Sequence, residues 1–270
     1  MEILQAIVLG VLEGLTEFLP ISSTGHLIVA SEVMNYKDTA KVFTVVIQLG
    51  AIGAVIWNYR KDLISKVIGL FKRDKKVLRF WAVWIIATIP GGLFGFFLRD
   101  KVSVFAVATT VGIALIIGGI IIWLIETYHS AAKNFSGHAK FEKITIKKAV
   151  QVGLFQALAI IPGVSRSGAS IMGGLLSGFD RVTAAAFSFY LSIPLLTLAG
   201  AYQLAKGVEG FDTVAGGATA IIAGTLAAFI TALLIIKWLL RYISTHDFKI
   251  FAYYRIILGI IILLTLSSQT

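Results

Sequence analysis

The sequence predicts an all-α integral membrane protein with an inverted-topology repeat, each half a re-entrant helical hairpin followed by three transmembrane helices. Three observations predict it: a strongly apolar composition, apolar runs of spanning length, and a polar break that occurs twice. Of 270 residues, 57% are hydrophobic and 14% charged, with a mean hydropathy of +0.89. Ordinary soluble domains are about 45–50% apolar and about 25% charged. Lipid offers backbone groups no hydrogen-bond partner, so apolar runs this long are expected to be helices rather than barrel strands.

Taken in order, residues 1–40 cannot be a simple span. An apolar arm runs to Pro20, a second short arm runs from Thr24 to about Met34, and Pro-Ile-Ser-Ser-Thr-Gly breaks the chain between them. Proline disfavours helix at the residue before it, and glycine permits a tight turn. A hairpin that enters and leaves on one side fits. Phe80–Leu98, Val102–Ile125, Val182–Ala205 and Thr213–Ile236 are each about long enough to cross a ~30 Å hydrocarbon core, and Val42–Trp57 and Ile250–Leu266 read as further spans, the second interrupted by Arg255. The expectation is one integral membrane domain over 1–270, with repeat 1 at about 1–127 and repeat 2 at about 145–268.

The net charge of +10 lies in loops beside the spans, so it predicts positive-inside topology and no nucleic-acid partner. The link Asn58–Arg79 holds Arg60, Lys61, Lys66, Lys72, Arg73, Lys75, Lys76 and Arg79, and the link Tyr128–Lys148 is also basic. Placing both in the cytoplasm leaves the mouth of the first hairpin outside. There is no cysteine, hence no disulfide and no thiolate metal site. No cleavable signal peptide is expected, because the n-region lacks basic charge.

"AIVLGVLEGLTEFLPISSTGH" (6–26) has an echo in "AVQVGLFQALAIIPGVSRSG" (149–168). Gly10 aligns with Gly153, Glu13 with Gln156, Pro20 with Pro162 and Ser23 with Ser165, with one residue of slippage before the proline. Three spans follow each motif, an odd number, so the second hairpin enters from the opposite side.

The breaks carry the chemistry. Glu13 and Glu17, spaced i,i+4, share a helix face, and a charge at the bilayer centre costs at least roughly 2.5–3.5 kcal/mol. Ser22, Ser23 and Thr24 precede His26 where amides lack helical partners and can bind anions. The imidazole can take a proton or attack phosphorus. In the second break Arg166 stands between Ser165 and Ser167, and its planar fork suits phosphate oxygens. Arg255 is read either as snorkelling or as a further anion contact. Carboxylates beside an anion site suggest a divalent cation, Mg²⁺ or Ca²⁺, held with oxygen ligands. His129, His138 and His246 are read as solvated loop residues. This is phosphoryl-transfer equipment, and its natural substrate is a phosphate with a lipid tail. A secondary transporter or lipid flippase is the alternative that the architecture alone allows.

"LEGLTEFLPISSTGHL" and "PGVSRSG", at this separation and with these spans, resemble the undecaprenyl-pyrophosphate phosphatase (bacitracin-resistance) family over essentially the whole chain. The resemblance implies a membrane hydrolase of the bacterial inner membrane that needs a divalent cation. Such an enzyme removes the terminal phosphate of undecaprenyl pyrophosphate and so recycles the carrier for cell-wall polymer synthesis. It places functional roles on Glu13, Glu17, Ser22, Ser23, Thr24, His26, Ser165, Arg166 and Arg255. On this reading Glu13 and Glu17 hold the cation or tune His26, Arg166 clamps pyrophosphate, and Ser23 or His26 attacks. The site opens to the extracytoplasmic face. Membrane lipids and the lipid pyrophosphate are the expected partners, and the oligomeric state is left open, a homodimer included. "SSTGH" has a superficial likeness to an element of the membrane acid-phosphatase superfamily. No second histidine follows "SRSG" before His246, and that distance does not suit the superfamily.

Overall fold

The computed structural model describes residues 2–36, 42–103, 107–128, 139–206 and 214–265. The described residues are predominantly helical and include no strand. The first half comprises α1 (Glu2–Thr16), α2 (Ser23–Val33), α3 (Val42–Asn58), α4 (Arg60–Phe71), α5 (Lys75–Ser103) and α6 (Ala108–Tyr128). The second comprises α7 (Ile146–Ala157), α8 (Arg166–Leu176), α9 (Arg181–Lys206), α10 (Gly217–Ile243) and α11 (Lys249–Thr265). This is an all-α membrane protein. His129 and His138 lie outside the described residues.

The arms of each hairpin are too short to cross a bilayer. α1 and α2 have 15 and 11 residues, and α7 and α8 have 12 and 11. At 1.5 Å per residue none exceeds roughly 23 Å, against a core of ~30 Å. Among the described residues, four helices are long and apolar enough to span: Lys75–Leu98 within α5, α6, Arg181–Ala205 within α9, and α10. The pair α3 and α4, bent by 72°, brings the number to five if it is counted as one broken span. α11, with 17 residues, ends at the edge of the described residues.

Two sequence expectations shift. The span expected at Val102 begins at Ala108 instead, because α5 runs on through Ser103. The basic link after Asn58 is a helix, α4, rather than a loop. Its apolar residues Leu63, Val67 and Leu70 recur at helical spacing among the lysines. A polar knot at the bend holds it: the Tyr190 hydroxyl and the Lys66 ammonium both donate to Asp62, and Lys66 also stands 4.5 Å from the Phe80 ring centre.

The packing crosses between halves. α1 lies along α10, and α7 lies along α5, so each hairpin leans on the second long helix of the other half. Lipid tails are as apolar as leucine, so small residues that let backbones approach favour such contacts. A Cβ at Gly14 would stand 2.5 Å from the Ala228 carbonyl oxygen, and one at Gly10 would collide with Gly224. In the other half, a Cβ at Gly153 would stand 2.5 Å from the Ala87 carbonyl oxygen. The helix between the hairpins is α9, whose first turns, Val182–Ser192, are buried on all sides.

Candidate active site

Both second arms begin in the same unusual way. Ser22 caps α2 with φ 72° and its hydroxyl accepts from the Gly25 amide, while Ser165 caps α8 with φ 74° and accepts from the Gly168 amide. Positive φ at a side-chain-bearing residue costs of order 1–3 kcal/mol and persists where the surrounding structure fixes it. The caps also correct the register of the repeat. Ser22, not Ser23, is the counterpart of Ser165, and Ser23 therefore corresponds to Arg166. The sequence alignment slips by one because the second break contains an additional residue, Gly163, between proline and cap.

The two tips meet at Glu17. Arg166 Nη2 donates to Glu17 Oε1 at 3.0 Å, and Ser23 Oγ donates to Glu17 Oε2 at 2.5 Å. Arg166 Nη1 is fixed by the Ser188 carbonyl at 2.9 Å and its hydroxyl at 3.2 Å. Its Nε is buried and has no partner in the protein. Ser167 Oγ donates to the Leu19 carbonyl at 2.7 Å, a second tie between the tips, and lies 3.0 Å from Ser165 Oγ. A cavity of about 220 Å³ opens beside these groups. Glu17, Ser22, Ser23, Thr24, Ser165 and Arg166 line it.

Four residues singled out in the sequence, Glu13, His26, Ser167 and Arg255, are not among those that line it. His26 does not line this cavity. Its Nδ1 is 2.8 Å from the Ser22 carbonyl, so it carries the proton, and its Nε2 is 2.7 Å from the Tyr254 hydroxyl, from which it accepts. Tyr254 also stacks on the imidazole, with ring planes 3° apart. Arg255 is fully buried and donates all five of its N–H groups to backbone carbonyls. Pro20 lies at 3.0 Å, Gly163 and Val164 at 3.1 Å, Ala114 at 3.1 Å and Leu115 at 3.3 Å. Arg255 thus satisfies carbonyls in both breaks at once and pins them to α6. It leaves no donor for an anion.

Glu13 is 1% exposed, and neither of its oxygens has a hydrogen-bond partner. A buried carboxylate of this kind requires a proton or a cation, which suits a divalent ion held with Glu17 one turn on. Among the described residues no three acidic, histidine or cysteine side chains gather as a metal cage. Two carboxylates would leave most coordination positions to phosphate oxygens and water, the usual condition of Mg²⁺ at phosphate sites.

Sequence reasoning missed two cavity residues, Gln48 and Gln156. Gln156 is 1% exposed with both amide atoms unpartnered. Its alignment with Glu13 was the available signal. The Tyr254 contact, made across most of the chain length, left no signal in the sequence.

The family model described as bacitracin resistance protein BacA matches residues 6–261. Among curated proteins, undecaprenyl-diphosphatase 1 of Burkholderia cenocepacia is 44% identical over 264 residues, covering 97% of this chain and 95% of that protein. Undecaprenyl-diphosphatase of Methylobacillus flagellatus is 45% identical over 265 residues, covering 97% of each. Undecaprenyl-diphosphatase 1 of Paraburkholderia xenovorans is 46% identical over 264 residues, covering 96% of this chain and 94% of that one.

Proposed function

The chain belongs to the bacitracin resistance protein BacA family, and from that premise we propose that it hydrolyses undecaprenyl pyrophosphate to undecaprenyl phosphate and inorganic phosphate. It is an enzyme of the membrane, a polyprenyl-pyrophosphate phosphohydrolase that returns the lipid carrier to cell-wall synthesis. Relatives named as diphosphatases do not favour the transporter or flippase alternative.

The observation that carries the mechanism is the Ser23–Glu17–Arg166 chain in the cavity wall. Ser23 Oγ attacks the terminal phosphorus, and Glu17, already its hydrogen-bond acceptor, takes the hydroxyl proton. The bond from the terminal phosphorus to the bridging oxygen breaks, and undecaprenyl phosphate leaves with the bonding pair. Arg166, in the cavity wall, stabilises the phosphoryl oxygens on which charge spreads during transfer. Glu17 passes that proton to the departing undecaprenyl phosphate, takes another from the water that cleaves the phosphoserine ester, and returns it to Ser23 Oγ as inorganic phosphate leaves. Thr24, Ser165 and Gln156 supply further polar contacts around the pyrophosphate.

His26 is the less supported nucleophile, because both of its ring nitrogens are engaged away from the cavity. It fixes the carbonyl of Ser22 and so the turn that presents Ser23. A divalent cation, Mg²⁺ or Ca²⁺, fits Glu13 and Glu17 and would neutralise pyrophosphate charge when bound. We also place the enzyme in the bacterial inner membrane with the cavity open to the extracytoplasmic face, on the strength of the basic links at Asn58–Arg79 and Tyr128–Lys148.

The test is phosphate release from undecaprenyl or farnesyl pyrophosphate in detergent, with trapping of the phosphoenzyme. Phosphate on Ser23 in the mass spectrum is the expected result. Phosphate on His26 would reverse the two roles. Cysteine labelling near Ser22 that succeeds only from the cytoplasmic side would invert the topology.

A further inference from the structure

Beside the head-group cavity lies a second, larger space of about 640 Å³ between α3, α5 and α9. That is within the roughly 300–1,000 Å³ range of small-molecule pockets. The two spaces share walls: Gln48, Gly91, Gly95, Ile160, Leu195 and Ala199 line both. Beyond that junction the lining turns mainly apolar. At its outer rim Phe96 and Leu198 are 70% and 67% exposed, on the faces of helices that the fold turns toward lipid.

The glycines of α5 give the space its shape. A Cβ at Gly92 or Gly95 would meet nothing within 4 Å. They differ in this from Gly10, Gly14 and Gly153, which neighbouring backbone demands. Glycine within a helix is destabilising relative to alanine. At Gly92 and Gly95 no helix contact offsets that cost. What their missing side chains provide is volume, next to the site where a phosphate with an apolar tail is to be held.

We propose that this groove receives the isoprenoid units nearest the pyrophosphate, with Gly92 and Gly95 keeping it open, while the rest of the tail stays in the bilayer. The proposal rests on the head-group reading above and extends it to the part of the substrate that confers lipid specificity. The head group would enter sideways between α5 and α9 with its tail trailing, never leaving the hydrocarbon phase.

Gly92 lines the groove and not the head-group cavity, and a Cβ there meets no protein atom within 4 Å, so Gly92→Leu places its side chain in the groove from an unobstructed start. The experiment measures kcat/KM for isopentenyl and farnesyl pyrophosphates in wild type and Gly92→Leu, with elution volume in detergent as the check of folding. The loss for the farnesyl compound should exceed that for the isopentenyl compound at least tenfold, mainly through KM. Equal losses would overturn the groove assignment. A second measurement does not depend on turnover: a farnesyl pyrophosphate bearing a diazirine on its second isoprene unit is photolysed in wild-type protein and the adducts are mapped. Adducts within residues 88–96 or 195–203 support the groove, and adducts confined to other segments overturn it. Adducts in the groove without phosphate release from any substrate would instead remove the hydrolase reading and leave the groove standing.

Discussion

Counted from their capping serines, the two hairpin tips are one backbone device carrying opposite chemistry. Ser22 and Ser165 have nearly the same positive φ and the same amide bond three residues on. Around them the first tip places Glu13, Glu17, Ser23 and His26 where the second places Gln156, Ile160, Arg166 and Ala169. One tip supplies acids and a hydroxyl; the other supplies a guanidinium and a neutral amide. A pair of like tips would have set carboxylate against carboxylate in a buried space, which is costly. The unlike tips form an ion pair at the seam instead.

Variants that erase the difference between the tips should therefore be the most damaging. Ser23→Ala removes the group proposed to attack, and phosphate release should fall to background with the elution profile unchanged. Residual turnover above one-tenth of wild type would show that Ser23 does not make the covalent step. Arg166→Ala takes away the cation of the second tip and should lower kcat by about 10²–10³. Arg166→Lys should restore little, because an ammonium cannot hold Glu17, Ser188 and a phosphate with one fork. Glu13→Gln makes the first tip like the second at that position. It should weaken the apparent affinity for Mg²⁺ by about 10–100-fold, read from a cation titration of activity; an unchanged titration would exclude Glu13 as a ligand. Gln156→Leu removes an amide rather than a charge and should cost several-fold, on the scale of one hydrogen bond of about 0.5–1.5 kcal/mol. Tyr254→Phe, remote from the cavity, should lower thermal stability by a few degrees and leave the KM for farnesyl pyrophosphate nearly constant.

The sequence and the structure agree most where the signal is local. Apolar runs mark the long helices, and Pro20 and Pro162 mark the breaks, because hydrophobicity and proline act on their own segment. Glu17, Ser23 and Arg166 were identifiable as polar groups that the membrane would otherwise exclude. The pairing of Ser23 with Arg166 by position was hidden by Gly163, one additional residue that counting from proline could not place. Arg255 is the clearest misfit. Its residue type fits an anion site as well as a structural one, and only the positions of five carbonyls in three distant segments decide its role. His26 likewise looked catalytic by its neighbours in sequence, whereas its partner Tyr254 arrives from the last helix. Helix α4 escaped notice because its lysines dominate a window whose apolar residues are few.

The same arginine sets an order of events during synthesis. Arg255 and Tyr254 belong to α11, the final helix, yet the tips they steady are made in the first two-thirds of the chain. Before that last segment is in place, the carbonyls of Pro20, Gly163 and Val164 lack their Arg255 donors and His26 lacks the Tyr254 hydroxyl. A nascent chain lacking residues 249–270 should insert and remain silent toward lipid pyrophosphates, and supplying the missing helix as a separate peptide should awaken it.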